Sequence, residues 1–297
     1  MSLRWHILGA GAIGALFASS LHRAGISTTL LCRGTNSRKL TREISLDKGN
    51  ITSKLSFPTS NNGDPDPISH LLVTTKAYDV HSALAEVSHR LDAGSHIIIL
   101  VNGMGFMEGL KRDFPQFEFT LGTTTEGAYR VGAGHFCHAG NGLTRLGLPG
   151  KTEPPPWYRA WSKIDLPCVW ETNIEEVIWQ KLCINCAINP LTALHQCKNG
   201  ELATQPALAS LVEQLCNEIA QVSMAAGYEN TSISIHQRVT EVIADTADNR
   251  SSMLQDVQAG RRTEIEYISG YFIALAKQLE ITIPVTMAVF EAGKNRV

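Results

Sequence analysis

Three polar side chains recur at every fourth residue of the otherwise apolar stretch WQKLCINCAINPLTAL, residues 179–194: Lys181, Asn185 and Asn189. On a helix they share one stripe, because each residue turns the helix by about 100°. Buried amines and amides are costly without partners, so the stripe favours a site over a partly solvated helix. A lysine ammonium can protonate a carbonyl oxygen that receives hydride, and the amides can hold a polar substrate.

A second chemical pattern lies near the start of the chain. The apolar stretch RWHIL is followed by GAGAIG and then by a helical pattern. This G-x-G-x-x-G spacing between a strand and a helix predicts a dinucleotide site, with the pyrophosphate at the helix N-terminus. An ordinary strand-turn-helix is the alternative. The predicted cofactor-binding residues of the loop are Gly9, Ala10, Gly11, Ala12, Ile13 and Gly14.

Further polar residues follow the next predicted strands. NAD-binding folds commonly carry an acidic residue at the end of the second strand, but LLCRG offers Arg33, which suits a 2′-phosphate. We therefore expect NADP (NADPH) rather than NAD, the alternative being a solvated surface arginine. Lys76 and Asn102 follow two apolar strands, at the edge of a parallel sheet where ligands bind. Both are expected to contact the cofactor, and Asn102 also the substrate.

The elements that must position these residues form an α/β pattern. Alternating apolar strands and helices predict an N-terminal Rossmann-type doubly wound sheet, residues 1–172, in which 41–57 is a hairpin and 117–148 adds antiparallel strands to one edge. From 173 to 297 the pattern predicts an all-helical domain that carries substrate and catalytic residues. Its expected helices span residues 174–195, 206–226, 233–247 and 252–279.

Composition narrows the class of protein. The 297 residues carry a formal charge of −2, which speaks against a nucleic-acid or acidic-membrane surface. We expect no membrane span and no signal peptide. Seven scattered cysteines suit a reduced cytoplasm better than a disulfide scaffold. The C-x-x-C of Cys183 and Cys186 lies on the helix of the polar stripe and favours packing over zinc, so no metal site is expected.

Taken together, the motifs resemble the ketopantoate reductase (2-dehydropantoate 2-reductase) family. The segments GAGAIG, TTKAYD, LVNGMG, GTTTEGAYR, WQKLCINCAINPLTAL, KNGEL, SSMLQD and GRRTEIEYISG occur in the family's order along the chain. The resemblance implies NADPH-dependent reduction of 2-dehydropantoate (ketopantoate) to pantoate, on the route to pantothenate and coenzyme A. It also implies a Rossmann domain, a helical domain and an active site in the cleft between them.

The resemblance also implies residue roles. Lys181 matches the catalytic general acid, and Glu264 an acidic residue that supports cofactor binding and catalysis. Substrate-binding positions are matched by Asn185, Asn189, Asn199 and Ser252. In the first domain, the cofactor-contacting positions are matched by Lys76 and Asn102, and the 2′-phosphate position by Arg33. Arg262 and Glu266 depart from the commoner residues at their positions, and neither of them carries a role.

For three of these positions, a purely structural role is the alternative. Ser252 and Gln255 fit an S-x-x-Q capping box, so Ser252 could be a helix cap, a binding hydroxyl or both. Glu264 could lie on a solvated helix face. Asn199 precedes a glycine, which is a turn signal in its own right.

Alternative functions are an NADP-dependent reductase of another branched 2-oxo or 3-hydroxy acid, and an NADP-sensing protein without turnover. β-Hydroxyacid dehydrogenases share the glycine loop and the K-x-x-x-N helix, but they usually carry glycine before the lysine, where this chain has NIEEVIWQ. The expected partner is a small-molecule substrate, and the expected assembly is a monomer or homodimer.

Overall fold

A computed structural model describes residues 3–32, 41–61 and 63–294. Contacts divide the chain into two units, one from Met1–Val101 and Phe106–Glu175, the other from Asn102–Gly105 and Glu176–Val297. The short segment Asn102–Gly105, which begins two residues after the end of a strand of the first unit, belongs to the second unit. The domain bounds of 1–172 and 173–297 stay a prediction. In the described part of the chain, no helix is both long and apolar enough to cross a membrane.

The strands all belong to the first unit. They form one sheet and are, in chain order, β1 (Arg4–Leu8), β2 (Ser27–Cys32), β3 (Thr41–Lys48), β4 (Ile51–Asn61), β5 (His70–Val73), β6 (His96–Leu100), β7 (Phe119–Thr124), β8 (Gly127–Gly132), β9 (His135–Gly140), β10 (Thr144–Gly147) and β11 (Cys168–Trp170).

The helices are distributed over both units. They are α1 (Ala12–Arg23), α2 (Val80–Val87), α3 (Met107–Asp113), α4 (Tyr158–Trp161), α5 (Ile174–His195), α6 (Glu201–Thr204), α7 (Pro206–Ala225), α8 (Glu229–Asp245), α9 (Ser252–Gln258), α10 (Tyr271–Gln278) and α11 (Pro284–Lys294), with a π-helical turn at Glu266–Gly270 and short 3₁₀ turns at Ala77–Asp79 and Ser88–Arg90.

The centre of the sheet is parallel, in the order β7-β6-β5-β1-β2. Its strands are apolar along nearly their whole length, as in HIIIL of β6, because parallel sheets are covered on both faces. This confirms the predicted Rossmann-type class. The hairpin expected over 41–57 is also confirmed, with β3 and β4 pairing antiparallel from Thr41↔Pro58 to Lys48↔Ile51.

The sheet curls around helix α1. Only two residues separate the end of β7 from the start of β8, yet these strands lie far apart in the strand order β11-β10-β7-β6-β5-β1-β2-β4-β3-β9-β8. A trans chain spans about 3.8 Å per residue, so both strands must come close together in space. Helix α1 contacts β1 and β2 and also β3, β8 and β9. It is buried over eight consecutive residues, Gly14 to Leu21, as expected of a helix covered all around.

The prediction for residues 117–148 was wrong in one respect. The strands do not all join one edge. β7 extends the parallel sheet beside β6, and β10 pairs antiparallel with β7, but the β8–β9 hairpin joins the opposite end, where β9 runs parallel to β3. The pairing of Ser45 with His135 is a tertiary contact that strand patterns do not encode.

The second unit is helical around its own apolar core. The helix predicted over 252–279 is interrupted: α9 ends at Gln258, an irregular segment follows, and the chain becomes helical again only near Glu266. Helix α8 begins at Glu229, four residues before its predicted start. The core includes Trp179 and Leu182 of α5, Ile219 of α7 and Phe272 of α10, so three helices of this unit contribute to it.

Candidate active site

The glycine loop has a geometry that only glycines permit. Gly9 has a φ of +102°, and a Cβ there would lie 2.7 Å from the backbone nitrogen of Thr75. A Cβ on Gly14 would lie 2.2 Å from the carbonyl oxygen of Gly9. That same oxygen accepts a hydrogen bond from the Thr74 hydroxyl at 2.7 Å. The loop is thus packed tightly against the end of β5 by its first and third glycines.

The second glycine serves a different purpose. A Cβ on Gly11 would meet none of the described residues within 4 Å, so space is open beside the backbone at the start of α1. Gly11 has no side chain to cap this helix, and the first turn contains no acidic residue. An open cradle at an uncapped helix N-terminus suits a phosphate group. The residues present therefore fit the pyrophosphate of a dinucleotide.

Thr75 adds a feature that the sequence analysis missed. Its hydroxyl oxygen is buried beside the glycine loop and has no hydrogen-bond partner among the described residues. Buried polar atoms of this kind are uncommon and mark places that water or a ligand can fill. The signal was present as the pair of threonines in TTKAYD, directly before Lys76.

The two basic cofactor residues differ in what the structure reports. Lys76 follows β5 in extended backbone, directly before the 3₁₀ turn, and is partly buried in the same unit as the glycine loop. Arg33, on which the preference for NADP depends, lies outside the described residues. Its role therefore stays a prediction.

The second unit brings Lys181 together with two other predicted residues. The Nζ of Lys181 donates a hydrogen bond to Oδ1 of Asn102 at 3.0 Å. Glu264, which is only 5% exposed, acts on Lys181 by charge attraction. Sequence reasoning had assigned Asn102 to the cofactor and substrate, and it did not identify Asn102 as the partner of the lysine. Glu264 is not on a solvated face.

Loss of solvation dominates the electrostatics of Lys181. Burial lowers its pKa from 10.5 to about 8, because the charged ammonium is poorly solvated there, and the negative charge of Glu264 opposes this effect. A lysine with a pKa near 8 is mostly protonated at neutral pH and still gives up its proton readily. These are the properties of a general acid.

The two asparagines of the stripe lie on the same helix as Lys181. Asn185 and Asn189 come one and two turns after it on α5, with Asn185 partly buried and Asn189 buried. Their spacing of four residues keeps them along one face. Binding of substrate by this face stays a prediction.

Asn199 is built into a loop junction. Its Nδ2 donates to the Thr246 hydroxyl at 2.8 Å, and its backbone N–H donates to the carbonyl of Asn249 at 3.0 Å. The residue is buried, and its Oδ1 has no partner among the described residues. These contacts give Asn199 a structural task, and its substrate role stays a prediction.

The capping box predicted for Ser252 is wrong by one residue. Helix α9 is capped by Ser251, whose Oγ accepts the N–H of Leu254 at 3.0 Å. The Nε2 of Gln255 donates to the carbonyl of Arg250 and so takes no part in a box with Ser252. Ser252 is exposed at the first helical position, which leaves its hydroxyl available for a ligand.

The cysteines on α5 are packed into the core. Cys183 and Cys186 are buried, and burial raises the pKa of both thiols. Such thiols stay protonated and are poor nucleophiles. Within the described ranges, no three histidine, cysteine or acidic side chains are grouped as a metal site.

Comparison with protein families gives two consecutive matches, one in each half of the chain. The family model described as ketopantoate reductase PanE/ApbA matches residues 5–150, and the model of the ketopantoate reductase PanE/ApbA C terminal matches residues 173–296. Among curated proteins, the 2-dehydropantoate 2-reductase of Vibrio cholerae is 33% identical over 302 residues. The match covers 97% of this chain and 96% of that protein.

Solved structures give the same architecture. The probable 2-dehydropantoate 2-reductase of Bacillus subtilis is similar with a TM-score of 0.84 at 27% identity, covering 99% of this chain and 100% of that one. A D-mandelate dehydrogenase solved with NADH and anilino(oxo)acetate has a TM-score of 0.86, covering 99% of this chain and 98% of that one. Its identity of 22% supports a shared fold alone.

Proposed function

We propose, from the premise that the chain belongs to the ketopantoate reductase family of oxidoreductases, that it reduces 2-dehydropantoate to pantoate with NADPH. The reaction serves pantothenate and coenzyme A synthesis. The observation that carries the proposal is the bond from Lys181 to Asn102, with Glu264 as the neighbouring charge. A charged lysine held in this way can donate the proton that the reduction of a 2-oxo acid requires.

The glycine loop would hold the cofactor. The open space at Gly11 and the N–H groups at the start of α1 suit the pyrophosphate. The Thr75 hydroxyl, which bonds to none of the described residues, can bond to the pyrophosphate or to its water. Lys76 would contribute positive charge. A bound nicotinamide dinucleotide supplies the hydride. Arg33 would bind the 2′-phosphate and so select NADPH over NADH.

Lys181 would act on the carbonyl oxygen of the substrate. Negative charge grows on that oxygen as the C2 carbon is reduced, and the ammonium stabilises this charge before it donates its proton. Asn102 accepts one N–H of the ammonium and so fixes its direction, while Glu264 favours its protonated form. After the reaction, solvent reprotonates the amine.

The amides and hydroxyl of the second unit would hold the rest of the substrate. Asn185 and Asn189 can donate to the carboxylate and accept from the hydroxyl of 2-dehydropantoate, and the exposed Ser252 can do either. We propose that Asn199 contributes less to substrate binding than these residues, because its Nδ2 already donates a hydrogen bond to Thr246.

The direct test is oxidation of NADPH by the purified protein with 2-dehydropantoate. We expect turnover that needs both compounds and falls sharply with NADH. Folded Lys181→Ala protein, checked by thermal melting, is the matched control for contaminating reductases. Turnover only with another 2-oxo acid would change the substrate assignment, and NADPH binding without any turnover would favour a sensor.

Gel filtration decides between the proposed monomer and homodimer, and fractionation of the source cells tests the proposed cytoplasmic location.

A further inference from the structure

We propose that the π-helical turn Glu266–Gly270 is a positioning element for Lys181, which holds Asn102 through Tyr267 and helix α5 through Ser269. This proposal rests on the proposed function, because it assigns a task in supporting the general acid. Its evidence is a closed ring of contacts inside the second unit: Lys181 to Asn102, the segment of Asn102 to the turn, and the turn back to α5.

The first contact joins the turn to Asn102–Gly105. The N–H of Met104 donates to the carbonyl of Tyr267 at 2.8 Å. Gly103 lies so close that a Cβ would be 2.6 Å from that same carbonyl oxygen and 2.9 Å from the Cβ of Tyr267. Gly103 also has a φ of +84°, which residues with side chains rarely adopt. The residue after Asn102 must therefore be glycine for this contact to form.

Gly105, two residues after Gly103, also combines a positive φ with a close approach to this part of the chain. Gly105 has a φ of +91°, and a Cβ there would lie 2.9 Å from the ring of Tyr271, directly after the turn. The segment after Asn102 is thus fitted to the turn at Gly103, Met104 and Gly105. Such a fit leaves the Asn102 backbone little freedom, so its amide stays directed at Lys181.

The turn is connected to α5 on its other side. The buried Ser269 lies beside the thiol of Cys186, which comes five residues after Lys181 on α5. A shift of the turn would therefore move both ends of the Lys181–Asn102 bond. π-Turns are rare and are often found at functional sites, because the wider turn redirects backbone groups away from the regular helical pattern. Here the Tyr267 carbonyl bonds outside its helix.

Positioning matters because proton transfer depends steeply on geometry, and a displacement of about 1 Å can cost about 10²-fold in rate. The Asn102 oxygen also favours the charged form of Lys181 by accepting its proton. Among the described residues, the charge that acts on Lys181 is that of Glu264, which lies two residues before the start of the turn. Loss of the Asn102 contact should therefore lower the pKa of Lys181 below its present value.

The test is Gly103→Ala, with Gly109→Ala as its matched control. A Cβ on Gly109 would have only the end of the Arg112 side chain near it, at 4.0 Å, so this variant should behave as wild type. We expect Gly103→Ala to lower kcat by about 10²-fold. It should also lower the Lys181 pKa, measured by NMR titration of ¹³C-lysine-labelled protein without substrate.

A double-mutant cycle separates positioning from general damage. If Gly103 acts through Lys181, the substitution should have almost no further effect on kcat in a Lys181→Ala background. Additive losses, or a wild-type Lys181 pKa in folded Gly103→Ala, would overturn the proposal. If Gly103→Ala does not fold, the same measurements can be made on Ser269→Ala, which alters the structure less. Because the NMR titration needs no substrate, a wrong substrate assignment would not be confused with a wrong positioning role.

Discussion

The hydroxyl of Thr192 donates to the hydroxyl of Ser251 over 2.7 Å, and this buried bond ties the end of α5 to the start of α9. The same Ser251 oxygen accepts the N–H of Leu254. One side chain thus caps a helix and connects it to the helix that carries Lys181. The neighbouring Ser252 is exposed and has neither task.

The two serines should therefore give opposite results when each is changed to alanine. Ser251→Ala should reduce the free energy of unfolding by about 1–2 kcal/mol, through the lost cap and the lost bond to the Thr192 hydroxyl. Ser252→Ala should leave stability within about 0.5 kcal/mol and raise the KM for 2-dehydropantoate. Urea unfolding and steady-state kinetics measure both. Equal stability of the two variants would contradict the assignment of the cap.

Lys181→Ala should lower kcat by about 10²–10⁴-fold, which is the usual cost of losing a general acid. The affinity for NADPH, measured by quenching of protein fluorescence, should change little. A melting temperature close to that of wild type would show that the loss is chemical. Near wild-type turnover in a folded variant would instead mean that the polar stripe is structural.

The dependence of kcat on pH should follow the protonation of Lys181. The acid must be charged to react, so kcat should be constant below its pKa and fall as pH rises through about 8. Glu264→Gln removes the charge that favours the ammonium, so the decline should begin at lower pH. A decline at unchanged pH in Glu264→Gln would assign Glu264 to structure.

Alanine substitutions at two glycines of the cofactor loop should have different effects on stability and on NADPH binding. Gly14→Ala forces a Cβ against the Gly9 carbonyl, so we expect a lower melting temperature as well as weaker NADPH binding. In Gly11→Ala the added methyl group meets none of the residues that the structure describes, so stability should be kept while the methyl group obstructs the pyrophosphate. Calorimetry and NADPH titration test the pair. Tight NADPH binding by Gly11→Ala would place the phosphates elsewhere.

Asn185→Ala should affect substrate more than cofactor. An unsatisfied polar contact costs about 1–3 kcal/mol, which corresponds to a rise in KM or a fall in kcat/KM of roughly tenfold or more. Titration with NADPH alone provides the internal control, since its affinity should stay within about twofold. Equal losses for both ligands would show that Asn185 does not act on the substrate.

Local sequence patterns could identify those features of the candidate site that lie within a single loop or helix. The glycine loop and the stripe from Lys181 to Asn189 could be recognised because spacing within a single turn or helix determines them. The bond between Lys181 and Asn102 could not, since it joins residues 79 positions apart. The helix cap at Ser251 was also missed, because adjacent serines offer the same local signal and only packing against Thr192 distinguishes them.

The curl of the sheet has a consequence for the order of folding. Strand β9 pairs with β3 and covers part of α1, although Ser45 and His135 are about ninety residues apart in the chain. Contacts that close such long loops form late and slowly. During synthesis, β1 and β2 emerge early, but β8 and β9 follow only once residue 140 has left the ribosome. Until then one side of α1 has no cover, and its apolar residues are available to chaperones.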